Sequence, residues 1–454
     1  MKRIDRRSFL DRTGKAGLGL AAGLTILENA HSVRAAPANE KVVLAMIGTG
    51  GRGSNLAVAF AERGDCRFAC LADPDTRRRE ALVKALAAKQ GSAPKDMSDF
   101  RKMIEDKSID AVIVATPDHW HALATVLACQ AGKDVYVEKP PTHSCWEGQK
   151  MIEAAKKYKR VIEVGTQNRS AEYNRLAKKY IVEGKLGKIH FARIYNQKSW
   201  GNFPMQPDGD APAGFDWDLW NGPAPEHAYN STFHHNWHHF WRYSSGDIIN
   251  DGIHQMDLAR WLLGVESPKQ VYSSGKRFEE GAAESPDVQI STFDFDDMVV
   301  TFELTLYTPY MLKISPYIRE SLTEYPYWPQ CATRIEIYGT KGVMYVGRHG
   351  GGWQVFDRPQ REKPQIVAQG NGKFPDPEHK ENFIQCVRRQ AKPNAPIEEG
   401  HKSVLLAHYA TMSYRLGGEK LVIDPKTEQV VGNDRAMAMF KREYRKPYVL
   451  PDEV

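Results

Sequence analysis

Four groups of residues in this 454-residue chain carry side chains or backbone geometry suited to chemistry. Gly48-Thr49-Gly50-Gly51-Arg52-Gly53 is a G-x-G-x-x-G turn. Asp73 stands 20 residues beyond Gly53, Glu138-Lys139-Pro140 follows a short apolar run, and His254 and Asp257 sit three apart in a helical pattern. Glycines at the first spacing bring backbone against a pyrophosphate: Gly48 permits the tight turn, Gly50 the close approach, and Gly53 the packing of helix on strand. Free N–H groups at the helix start then face the phosphates. A carboxylate at Asp73 accepts hydrogen bonds from adenosine ribose hydroxyls and disfavours a 2′-phosphate, which favours NAD over NADP. Arg77, Arg78 and Arg79 offset that repulsion, so NADP stays open. Oxidising a carbinol by hydride transfer needs a base for the hydroxyl proton and a donor for the developing alkoxide. Lys139 and His254 are the candidates, a neutral imidazole being suited to proton abstraction near pH 7.

These residues need a parallel sheet to bring them together. Lys41–Ile47 is a continuous β-prone run leading into the glycine turn, and a helical pattern with Leu56, Val58, Ala59 and Phe60 follows at once. Runs of this kind suit strands buried on both faces. Arg67–Ala72, Ala111–Ala115, Asp134–Val137 and Val161–Val164 repeat the signal. Helical stretches at 100–105, 121–131 and 146–157 alternate with them. Such alternation predicts an α/β fold with a doubly wound parallel sheet of Rossmann type over 40–168. Ligands bind at the carboxyl ends of such strands, where Gly48, Asp73, Thr116, Glu138, Lys139 and Gln167 lie.

The chain resembles the glucose–fructose oxidoreductase / inositol dehydrogenase / rhizopine catabolism (Gfo/Idh/MocA) family. The residues that carry the resemblance are GTGGRG at 48–53, CLADPD at 70–75, ATPDHWHA at 115–122 and AGKDVYVEKP at 131–140. VGTQNRS at 164–170, DIINDGIHQMDLARWLLG at 247–264 and IEIYGTKGVMYV at 335–346 complete it. The resemblance runs from about residue 40 to the C-terminus. It implies a second, α+β domain over 169–450, with a large open, mostly antiparallel sheet and a sugar-binding cleft between the domains. It also implies a homo-oligomer, dimer or tetramer, paired through the sheet faces. The β-prone stretches 189–197, 270–276, 288–295, 298–308, 333–338 and 343–346 are compatible, and helices near 381–389 and 402–415 are expected to return to the first domain.

By the same resemblance Lys139 holds the substrate hydroxyl, His254 is the acid/base, and the Lys139–Pro140 peptide is cis. From their places beyond the strands, Thr116, Pro117 and His121 are expected to line the cofactor, and Gln167, Asn168 and Arg169, after the fifth strand, to contact nicotinamide or sugar. Family dehydrogenases commonly carry Asp four residues before this His. Here Asn250 stands there with Asp251 beside it, so Asp251 or a water is expected to replace the missing carboxylate. Asp257 either orients His254 or touches the sugar.

Residues 200–243 are dense in aromatics and form either a cleft wall over a sugar or a packed insertion or oligomer contact. His234-His235-Asn236-Trp237-His238-His239 suits polar sugar contacts as well as metal, and no acidic or cysteine partner sits at metal-site spacing, so no metal is expected. The six scattered cysteines form no C-x-x-C pair and read as small buried hydrophobes.

The first 35 residues read as a twin-arginine export signal. Arg6-Arg7-Ser8-Phe9-Leu10 precedes a Gly/Ala-rich apolar stretch, and Val33-Arg34-Ala35 offers a cleavage site. A periplasmic location and a tightly held coenzyme are the corresponding expectations, because a coenzyme released outside the cytoplasm would not be replaced. The formal charge is +6, of which this segment holds +4. The remainder is too nearly neutral for a nucleic-acid binder, and no apolar run is long enough to span a bilayer. The reading is thus an exported NAD(P)-dependent oxidoreductase acting on a sugar, glycoside or polyol. The alternatives are a glycoside hydrolase or lyase that uses transient oxidation, and a non-catalytic sugar or dinucleotide binder.

Overall fold

The computed structural model describes residues 41–199, 202–357 and 362–454; the first 35 residues, read above as an export signal, lie outside these. Six strands form the first sheet: β1 Val42–Ile47, β2 Cys66–Ala72, β3 Lys95–Met97, β4 Ala111–Val114, β5 Asp134–Val137 and β6 Ile162–Val164. Their order is β3-β2-β1-β4-β5-β6 and every pairing is parallel. The central strands β4 and β5 are buried at every residue, as their unbroken apolar runs require. Chain direction from the centre reverses between β1 and β4, and the crevice at that switch point lies beside Gly48 and Thr116. β3 was not legible in advance. It is a three-residue edge strand with two charged and exposed residues, and it lacks the apolar run that marks its neighbours.

The second sheet has nine strands in the order β14-β13-β12-β11-β7-β10-β9-β8-β15. β7 (Ile189–Gln197), β8 (Gln270–Lys276), β9 (Val288–Asp294), β10 (Val299–Thr305), β11 (Arg334–Gly339) and β12 (Gly342–Gly347) follow the β-prone stretches closely. β13 (Trp353–Phe356), β14 (Ile366–Gly370) and β15 (Leu421–Val422) extend the edges. Only β7 and β10 pair in parallel. Along β10 the burial alternates, with Val300, Phe302 and Leu304 inward. Those side chains pack with Ile253 and Met256 of helix Gly252–Leu263 and with Leu406 and Ala410 of helix Ile397–Arg415. Helix Asp376–Val387 returns to the first sheet, where Phe383, Ile384 and Val387 join the core of Leu44, Phe60 and Tyr136. All six cysteines are buried and unpaired.

Candidate active site

A cavity of about 310 Å³ opens at the switch point of the first sheet. Four strand ends supply much of its wall: Gly48, Gly50, Gly51 and Arg52 after β1, Asp73 after β2, Thr116, Pro117 and His121 after β4, and Glu138 and Lys139 after β5. Asn250 adds to it from the second domain. Gly48 has φ +89°, and a Cβ there would lie 2.6 Å from the Ala115 carbonyl oxygen. A Cβ on Gly53 would lie 2.0 Å from the Gly48 oxygen, so the helix Gly51–Ala61 can start this close to the turn only without one. The first-turn N–H groups of that helix have no intrahelical acceptor and point to the space where a pyrophosphate would lie. Asp73 accepts from the Thr49 N–H (2.6 Å) and the Asp75 N–H (2.8 Å), one on each oxygen. That holds the carboxylate still and leaves each oxygen a lone pair for a ribose hydroxyl. Burial pushes its pKa up, and the two amides oppose the rise. The glycine turn and Asp73 therefore fit a dinucleotide.

Thr49, Gly53 and Gln167 act behind the wall. With its amide turned to satisfy both ends, Gln167 donates to the Gly165 oxygen (2.9 Å) and accepts from Arg52 (2.7 Å). Arg52 also pairs with Glu138 (2.8 Å) and Asp376 (3.3 Å). His121 is buried with its two ring nitrogens 2.6 and 2.9 Å from the Pro140 and Thr116 oxygens, which ties the β4 end to the loop after β5.

The Lys139–Pro140 peptide is cis. Lys139 Nζ donates to the backbone oxygen of Asn250 and to its Oδ1 at 3.2 Å. Burial lowers the Lys139 pKa, while Asp251, Glu138 and Asp118 resist the fall. His254 lies beyond Asn250 and outside the cavity wall, 7% exposed, with its ring 6.0 Å from that of His349. Burial, then the positive charges of Arg348 and Lys139, hold its pKa well below 6.5, so the imidazole is neutral at physiological pH.

Four residues expected to contact substrate are engaged elsewhere. Asp251 is paired with Arg348 (2.6 Å), Lys198 (2.9 Å) and Lys313 (3.0 Å). Burial alone would raise its pKa, but the three cations outweigh burial and hold it well below the usual range. Asp251 is thus a poor base and serves as their counter-ion. Arg169 and Asp257 do not face the cavity. They pair with one another at 2.9 Å, both fully enclosed, and Ser403 donates to Asp257 while Glu399 pairs with Arg169. Asn168 is also buried off the wall, its backbone oxygen accepting from Asn174.

Asp118 was not read from the sequence, whereas His238 and the aromatic insertion were named there. Asp118, between Pro117 and His121, is fully enclosed on the cavity wall and accepts from Ser244 Oγ. Burial raises its pKa to about 7, against the pull of Ser244 and Lys139. A first-turn acid in a helix reads as a cap, which hid it. His238 is pushed down to about 4 by burial and by Lys198 and Lys139, so it stands as a neutral imidazole near the lysine. The aromatic insertion does two jobs. Phe233, Phe240 and Tyr243 form its own small core, whereas Phe215, Trp220, His234 and Trp237 close the cavity over Asp73 and Arg78. Backbone bonds clip it to the strand end: Thr76 N–H to the Gly214 oxygen (2.9 Å) and Asp216 N–H to the Pro74 oxygen (3.1 Å). His234 packs on Phe215 with ring centroids 4.7 Å apart. No group of three or more metal-ligating side chains occurs among the described residues.

Residues 42–166 match the model of the Gfo/Idh/MocA oxidoreductase family's NAD-binding Rossmann fold, and residues 214–420 match that of its C-terminal α/β domain. The chain belongs to this family. Levoglucosan dehydrogenase of Pseudarthrobacter phenanthrenivorans is 29% identical over 229 residues, 48% of this chain and 52% of that protein's length. The scyllo-inositol 2-dehydrogenase (NAD(+)) of Bacillus subtilis is 30% identical over 357 residues, 77% of this chain and 87% of that protein. Among solved structures, the WlbA dehydrogenase from Bordetella pertussis in complex with NADH and UDP-GlcNAcA superposes with a TM-score of 0.60. It is 20% identical and covers 85% of this chain and 99% of its own, which shows a shared fold. The chain is therefore an NAD-dependent oxidoreductase.

Proposed function

We propose that this oxidoreductase is exported and acts on a sugar, glycoside or polyol, moving a hydride between a carbinol carbon and an NAD that stays bound between turnovers. The observation that carries the reading is the meeting of Lys139 and Asn250 on the wall of the dinucleotide cavity, with the neutral His254 just beyond. The relatives named above, an inositol dehydrogenase and a levoglucosan dehydrogenase, support a polyol or sugar substrate. NAD, when bound, supplies the hydride acceptor. Lys139, its ammonium fixed by two Asn250 oxygens, presents a donor to the substrate hydroxyl and stabilises the developing alkoxide. His254 is neutral and so able to accept the hydroxyl proton, which it passes on to solvent because burial and the neighbouring cations oppose its keeping the charge. Asn250 offers no carboxylate to relay it, so the proton leaves through the imidazole itself or a water. The clip between the insertion and the end of β2 supports retention of the coenzyme, as does the twin-arginine signature, whose export route carries folded proteins.

Purified protein incubated with a panel of polyols, free sugars and glucosides should form reduced nicotinamide from its own bound coenzyme, detected by absorbance. Added carbonyl substrate should then restore the oxidised form. A panel that yields hydrolysis with no net redox change would point instead to a route in which oxidation is transient. Cell fractionation after Arg6→Lys with Arg7→Lys tests the location. Unchanged export would refute it.

A further inference from the structure

The cavity that holds Lys139 also holds an acid with no part in the hydride transfer proposed above. Asp118 is the first residue of helix Asp118–Gln130, which begins straight after Pro117 at the end of β4. It is fully enclosed and lines the same wall as Lys139 and Asn250. One of its oxygens accepts from Ser244 Oγ, on the turn that ends the aromatic insertion. No cation pairs with it among the described residues, although a helix start favours an anion.

Three acids support the charge of Lys139 against burial: Asp251, Glu138 and Asp118. They differ in what holds them. Asp251 is fixed as an anion by Arg348, Lys198 and Lys313, and Glu138 pairs with Arg52. The groups that act on Asp118 are the Ser244 hydroxyl, Lys139 from the loop after β5, and the like charge of Glu147 from helix Cys145–Tyr158. Glu147 is itself buried and paired with Arg442 at 2.8 Å. Burial pushes the Asp118 carboxyl up to about 7; Ser244 and Lys139 oppose the rise and Glu147 adds to it. Asp118, without a cationic partner, therefore changes charge across the neutral range. The effect is reciprocal: the Lys139 ammonium favours the Asp118 anion, and the anion favours the ammonium.

We propose that Asp118 is a positioning residue that acts through Lys139: once ionised, it keeps the lysine an ammonium to higher pH, preserving the donor for a substrate hydroxyl. Below neutrality the lysine needs no such help, and Asp118 stays a neutral acid. The coupling is a property of the cavity wall. Its effect on rate rests on the hydride transfer proposed above.

The test compares the full chain as purified with Asp118→Asn, Lys139→Met, the double variant and Ser244→Ala. Infrared difference spectra of the parent against Asp118→Asn should show a protonated-carboxyl band that fades as pH passes about 7. In Lys139→Met, measured against the double variant, the band should persist about one pH unit higher, as loss of a nearby opposite charge requires. Ser244→Ala keeps the carboxyl and removes a hydroxyl that favours its anion, so its band should also move to higher pH, a response that does not depend on how well Asp118→Asn folds. In kinetics, Asp118→Asn should match the kcat/KM of the parent near pH 6. Its alkaline limb should lie about one pH unit lower, a deficit of about tenfold at fixed alkaline pH. A merely structural role would lower the rate equally at every pH. No titrating carboxyl band, or one that titrates alike with and without Lys139, would overturn the coupling whatever the substrate. An unmoved alkaline limb, or an equal loss at all pH values, would overturn the control of Lys139. A parent that transfers no hydride would count against the proposed activity, and the infrared result would still decide the coupling.

Discussion

Lys139 sits where burial opposes its charge and two oxygens of one asparagine hold it in place. In the proposed hydride transfer its value is therefore positional as well as electrostatic. Lys139→Ala should lower kcat by about 10²- to 10⁴-fold, the usual range for a lost proton-transfer or alkoxide-stabilising group, while bound coenzyme is retained. Asp118 offers a sharper test because its pKa has been raised from 3.8 to about 7, chiefly by burial. The folded protein then binds more protons than the unfolded chain between those two values, so stability falls as pH rises through that window. Asp118→Asn should remove this dependence: its melting temperature should gain on the parent at pH 8 and match it near pH 4. The glycine turn, Asp73 and Lys139 were legible in the sequence because each is required by backbone geometry or by the end of a strand. Asp118 was not, since nothing in its neighbours reports that Ser244, 126 residues away, closes over it.

At the scale of elements, helix Gly252–Leu263 presents His254 towards the catalytic region and Asp257 towards helix Ile397–Arg415. Three residues along a helix leave side chains on neighbouring faces, and here the small angular difference separates the proposed base from a packing residue. Asp257→Ala should cost about 3–5 kcal/mol of stability by leaving Arg169 under-compensated. Substrate KM should stay the same in the folded fraction, as denaturant titration alongside steady-state kinetics would show. The insertion makes the opposite point. Its aromatic composition announced packing or a wall, but the clip to Thr76 and Pro74 is made by backbone groups, which leave no mark in the sequence. Phe215→Ala should loosen this cover, and the variant should lose coenzyme during gel filtration that the parent retains. The edge strands β3 and β15 escaped reading for a related reason. Each is only two or three residues long, and its place is set by the neighbour it pairs with.

For the whole molecule, the nine-stranded sheet covers one face with helices and leaves the other open. By register, Tyr272, Ile290 and Val299 share the open face and are 45%, 51% and 37% exposed. The Arg193–Glu303 pair lies on that face as well. We propose that a second copy of the chain covers it. Ile290→Glu should then shift the sedimenting species to a smaller size without altering the circular dichroism of the subunit, whereas an unchanged size would place the contact elsewhere. The domain plan was readable because the two sheets differ in period: unbroken apolar runs in one, alternation in the other. What the open face meets was not readable, because a half-buried strand looks the same against solvent as against a partner.

In the proposed cycle NAD stays in the cavity between Asp73 and Lys139 throughout turnover. Mass measurement of the purified protein under non-denaturing conditions tests it most directly. Retained coenzyme gives a species heavier than the polypeptide by one NAD or NADH per subunit, surviving extensive dialysis. A bare polypeptide mass, in protein that oxidises added substrate only when free NAD is supplied, would contradict it.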